Sequence, residues 1–222
     1  MKKRAAFYDA LADVLVVPGV RLEHDRSRLD EKARGADYLG HYPSALLEQL
    51  PDAMSPFVRL EVGRARVVPH VERKLDSFVH RYLAGQALLA DFTDNRPASV
   101  RCVHPLVTLF DKLDAMARRY ARNNLEADTF VRHYEDAAQI IYAVGELPDI
   151  GMTPTELAND MLAKKDIAAQ PTPDEPALHL ADPGKRVKVE RAYERIAPMF
   201  WGSRIPLDQV CATIRGWLDA LA

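Results

Sequence analysis

The stretch 103–143 places the tightest limit on what this chain can fold into. Pro105 suits a first helical position, where its missing N–H would have had no partner, and Leu106, Leu109, Phe110, Leu113, Met116 and Tyr120 then recur at helical spacing. After a polar break at Arg122, Asn123 and Asn124, a second stripe follows in Phe130, Tyr134, Ala137, Ala138 and Ile141. Two amphipathic helices joined by so short a turn bury their stripes by closing face to face, so an antiparallel helical hairpin is expected. Lys112 and Asp136 stand at similar distances on either side of the turn. With about 1.5 Å of rise per residue, both lie roughly 15 to 20 Å from it, which permits a Lys–Asp pair at one level of the hairpin.

Elsewhere the apolar period alternates between helix and strand. Residues 3–16 predict an opening helix with Phe7, Leu11, Val14 and Leu15 on its inner side, stopped by Pro18 and Gly19. A brief alternation over Val20, Leu22 and His24 gives way to a charged stretch, 25–34, expected as a solvated hairpin or loop. Ala36, Tyr38 and Gly40 alternate with Asp37 and Leu39, and over 57–63 Val58, Leu60 and Val62 stand opposite Arg59 and Glu61, which predicts two strands of one antiparallel sheet. Residues 99–103 are a third strand candidate, and 71–83 read as a helix with Leu75, Phe78, Val79 and Tyr82 inward. Thr153, Pro154 and Glu156 form a capping pattern for a helix through Leu162. The proline-rich segment 170–183 is expected as an exposed crossing, and 185–200 and 206–221 as closing helices. The sum is an α+β fold, a small antiparallel sheet followed by a helical C-terminal bundle, with a domain boundary between 1–103 and 104–222.

Composition excludes several function classes. With 222 residues and 48% apolar content the chain can bury a real core. Thirty basic and 32 acidic residues give a formal charge of -2, so any nucleic-acid site must be local. Two cysteines, Cys102 and Cys211, show neither a CxxC nor a His/Cys ligand spacing, which argues against a disulfide framework or structural zinc and for a cytoplasmic setting. No apolar run approaches a membrane span, Asp9 and Asp13 interrupt the N-terminal apolar stretch, and neither GxxxxGK[ST] nor GxGxxG occurs.

Several polar residues carry two readings each. Glu61, centred in its strand, is either the solvent side of a half-buried sheet or a rigidly held carboxylate for a magnesium ion. Lys112, between Asp111 and Asp114, is either part of a solvated helix face or a compact charge for a triphosphate. Arg132 and Asp136 are spaced as a helix salt bridge, although Asp136 can equally hold Lys112. Arg118, Arg119 and Arg122 form the compact basic cluster, a helix end set against the dipole or a nucleotide- and RNA-binding patch. His70, His80, His104 and His133 stand beside no recognisable nucleophile and read as polar helix-face or surface histidines.

The run His104-Pro105, then 108–113 (Thr-Leu-Phe-Asp-Lys-Leu) and 131–136 (Val-Arg-His-Tyr-Glu-Asp), resembles the lysine helix and the Arg-His-Tyr-x-Asp helix of the AbiEii-type nucleotidyltransferases, toxin components of bacterial toxin–antitoxin and abortive-infection systems. Residues 58–64 with Pro69 resemble that family's third acidic strand, and Met199-Phe200 with 206–221 its closing helices, so the likeness runs from about Arg34 to the end. It implies a partial nucleotidyltransferase-like sheet and magnesium-dependent transfer of a nucleotide from a nucleoside triphosphate (NTP) to RNA, such as tRNA, or to a protein hydroxyl. It also implies Lys112 and Asp136 as the catalytic pair, Arg132 in support, Glu61 as a metal-site acid, and an antitoxin partner. The family's upstream Gly-[Gly/Ser]-[Thr/Ser] turn and Asp-x-Asp pair are missing here, and residues 3–16 resemble the helix that follows them. A chain truncated ahead of the metal site, inactive as it stands, is therefore one expectation, with an exposed sheet edge and a homo-oligomer as its corollary. The alternatives are a non-catalytic domain that binds an antitoxin or RNA through the arginine cluster, and an unrelated α+β domain in which Lys112 and Asp136 face solvent apart.

Overall fold

The computed structural model describes residues 2–28, 35–51, 54–63, 65–94, 96, 98–200 and 202–221. The architecture is α+β, with antiparallel strands ahead of a mostly helical remainder. The chain forms two compact units, Met1–Ala65 with Arg191–Arg204, and Arg66–Glu190 with Ile205–Ala222. The strands on either side of the helix at 78–85 thus group with the helical part. The charged stretch expected as a loop lies mostly outside the described residues.

The first unit sets one helix on one sheet. Helix α1 (Lys2–Val14) is followed by β1 (Arg21–Asp25), β2 (Gly35–His41) and β3 (Val58–Gly63), which pair antiparallel in the order β1-β2-β3. The alternation in β2 does what its period requires, burying Ala36, Tyr38 and Gly40 and leaving their neighbours part-exposed. Tyr8, Ala36 and Tyr38 are the buried centre, with Ala5, Leu11, Ala12, Leu22 and Val62 packed around it.

The inner face of α1 therefore differs from the expected one: Phe7 is 58% and Val14 72% exposed, while Tyr8 points inward. The physical reason is the Tyr38 hydroxyl, which needs a partner once buried and donates to the Tyr8 carbonyl at 2.6 Å, fixing the rotation of the helix. Tyr38→Phe should lower stability by about 1 kcal/mol in urea unfolding, the net worth of that bond.

The second unit begins with a two-stranded antiparallel ladder, β4 (His70–Arg73) and β5 (Val100–Val103), around α2 (Phe78–Gly85). Two expectations change here. The strand at 100–103 belongs to a sheet of its own, and the expected helix 71–83 is a strand followed by a shorter helix. Val71 pairs with Cys102, and the Ser77 hydroxyl restarts the chain as a helix by accepting from the His80 N–H at 3.0 Å. Leu75, Phe78, Val79 and Tyr82 stay largely exposed.

Helices α3 (Pro105–Tyr120), α4 (Arg132–Tyr142), α5 (Pro154–Ala163), α6 (Pro176–His179), the first part of α7 (Pro183–Arg195) and α8 (Leu207–Asp219) make the rest of this unit. The predicted hairpin is α3 and α4, packed on each other and on α8. Leu109, Phe110, Met116, Phe130, Tyr134, Leu157, Met161 and Ile214 are its fully buried centre. Thr153 and Glu156 close the expected capping box on α5.

The segment 170–183 is not the exposed crossing its prolines suggested: Ala177, Leu178 and Leu180 are buried, and the Tyr134 hydroxyl donates to the Ala177 carbonyl at 2.6 Å. Proline at the first position of α6 starts a helical turn rather than preventing one.

Candidate functional site

Lys112 on α3 stands between two buried polar anchors of that helix, His104 and Asp114. His104 caps α3: its Nδ1 accepts the Leu106 N–H at 3.2 Å, and its Nε2 lies 3.1 Å from the Pro148 carbonyl, to which it donates. Further along α3, Asp114 is buried, accepting the Ala168 N–H at 2.8 Å on one oxygen and Arg118 Nε at 2.6 Å on the other. Both residues correct a surface reading, His104 being 1% and Asp114 6% exposed.

Between these anchors Lys112 Nζ donates to Asp136 Oδ2 at 2.6 Å, with side chains 19% and 37% exposed. Asp136 takes the lysine across the hairpin and makes no ion pair with Arg132, one turn back on its own helix. Arg132 is exposed at the first position of α4.

The basic residues at this end of the hairpin form one patch. Burial first, then the charges of Arg118, Arg122 and Arg132, hold the Arg119 guanidinium below its ordinary range. Arg119 donates to the Thr129 carbonyl and Arg118 is engaged by Asp114, which leaves Arg122 and Arg132 as the exposed members without an ion pair among the described residues. Near it, Arg66 donates to Asp160 at 2.6 Å and Asp166 at 2.9 Å. Burial and the charges of Asp166 and Asp114 raise the Asp111 carboxyl against Arg66 and Arg118.

His133, expected on a polar helix face, is instead buried. It is 9% exposed, its Nδ1 has no hydrogen-bond partner, and it lies among Lys112, Arg132, Arg119 and Asp136. Burial first, then the three cations, lowers its imidazole to about 4. An imidazole from an unfolded chain binds a proton near its ordinary value of 6.5, whereas the folded one stays neutral until about 4. Folded-state stability should thus be full above about 6.5 and fall as pH drops to about 4, by roughly 3 kcal/mol. Melting curves of the protein and of His133→Gln across that window check this, the variant being flatter.

Glu61 belongs to the other unit. On β3 it stands opposite Asp37, whose carboxylate accepts Arg59 at 2.9 Å, and Asp25 accepts the same guanidinium at 3.4 Å. Arginine thus occupies the neighbouring carboxylates that would share a cation with Glu61, and among the described residues no three carboxylate, imidazole or thiol groups converge as a metal site. Among the described residues, no helix is long and apolar enough to cross a membrane.

No family model, curated protein or solved structure matches the chain.

Proposed function

We propose that the chain carries the lysine–aspartate half of an AbiEii-type nucleotidyltransferase, a cytoplasmic toxin component that moves a nucleotide from an NTP onto a tRNA end or a protein hydroxyl. The observation that carries this reading is the Lys112–Asp136 pair, 2.6 Å apart at one level of the hairpin and part-buried. The pair contributes little to folding, because half-hydrated ion pairs are worth about 0–1 kcal/mol and the hairpin is already closed by its apolar core. Its use is as a positioned charge: Asp136 aims the ammonium, and the ammonium neutralises charge on a transferring phosphate. Arg122 and Arg132, on the adjoining patch, suit the phosphates of an RNA acceptor. No step is routed through magnesium, for which the described residues supply no ligand set.

The test is incubation of the protein with α-labelled NTPs, added as their magnesium salts, and bulk tRNA. Label on the RNA, or on a protein acceptor, is expected; label on neither overturns the reading. A second reading, a non-catalytic domain that binds RNA or an antitoxin, is favoured by Arg59 occupying the carboxylates beside Glu61. It gives RNA binding that weakens steeply with salt and no transfer.

A further inference from the structure

Strand β3 ends the sheet, and among the described residues no hydrogen bond reaches the backbone along its outer edge. Natural edge strands are blunted by lysine, proline, bulges or short length. β3 has no lysine, proline or bulge: it is six residues long, reads VRLEVG with one charge of each sign at Arg59 and Glu61, and keeps an unbroken register with β2 from Val58 to Gly63. It also exposes apolar surface, Val58 at 63% and Leu60 at 40%.

The sequence of the strand says what covers it. Around Leu60 it is complementary to itself, Arg59 answering Glu61 and Val58 answering Val62. Antiparallel partners share a face of the sheet, with Cβ atoms about 4.5–5.5 Å apart. We infer that two copies of this chain pair β3 with β3 about a two-fold axis at Leu60, joining two three-stranded sheets into one of six. In that register Leu60 meets its own copy, Val58 meets the partner's Val62, and Arg59 meets the partner's Glu61 on the opposite face. Other registers are worse. A slip of one residue sets Leu60 against an arginine or a glutamate, and centring on Arg59 or Glu61 sets like charges together. Arg59 keeps its bonds to Asp37 and Asp25, because a guanidinium carries five donors. The contact is isologous, as most closed dimers are, and does not depend on the reading of Lys112 and Asp136.

Light scattering on the eluting full chain should give twice the chain mass at high concentration and fall toward the monomer on dilution. Leu60→Lys and Leu60→Glu each place two like charges on the axis and should each be monomeric, with unchanged circular dichroism because Leu60 is 40% exposed. Mixed in equal amounts they should recover the dimer mass as a one-to-one pair, the introduced ammonium facing the introduced carboxylate. A monomeric unaltered protein overturns the inference, as do single variants that stay dimeric or a mixture that stays monomeric.

Discussion

Lys112→Ala should reduce nucleotide transfer by roughly 10²–10³-fold, the usual cost of removing one preorganised charge from a developing oxyanion, while leaving the fold almost untouched. The asymmetry follows from the surroundings of the pair. Lys112 and Asp136 are 19% and 37% exposed at their side chains, so the carboxylate left behind is rehydrated, and the stability lost should stay below about 1 kcal/mol. Asp136→Asn should cost less transfer than Lys112→Ala, because the ammonium remains but is no longer aimed. The check is initial rates of label incorporation alongside melting temperatures for the three proteins. A fall in transfer that tracks a fall in melting temperature would make the pair structural.

Asp114→Ala should have the largest effect on stability, about 2–4 kcal/mol in urea unfolding. The side chain is 5% exposed and both oxygens are used, one by Ala168 N–H at 2.8 Å and one by Arg118 Nε at 2.6 Å. Truncation leaves the Ala168 amide without its acceptor and the Arg118 guanidinium without its carboxylate, and releases the segment after α5 from α3. Asp114→Asn retains an acceptor for Ala168 and should lose about half as much. A loss under 1 kcal/mol for the alanine variant would show that the segment is held by its apolar contacts alone.

How much of this could be read from the sequence depends on how local the cause is. The hairpin was legible because its two stripes are dense and its turn short, and the Lys112–Asp136 contact because equal distance from a turn fixes a level. The cap at Thr153 was legible for the same reason, since its partner Glu156 is three residues away. The burial of Asp114 was not, because the amide it accepts lies 54 residues further on. The inward face of α1 was decided by a hydroxyl on β2, and β4 by pairing with a strand beyond α2. Phe78, Val79 and Tyr82 have a helical period yet stay exposed, so period alone located α2 without locating a core. For the candidate site, the surroundings of Glu61 depended on Arg59 joining carboxylates from two other strands, a relation that no spacing within β3 contains. His133 needed the whole hairpin, since burial and three cations from two helices combine to set its proton affinity.

On the proposed function, Lys112 addresses the phosphates of a nucleotide rather than merely closing an ion pair. Isothermal titration of the unaltered protein and of Lys112→Ala with each NTP, at low and moderate salt, measures this most directly. Binding to the unaltered protein should weaken with salt and drop at least tenfold in the variant, with circular dichroism unchanged. Equal affinity in the two folded proteins would contradict it.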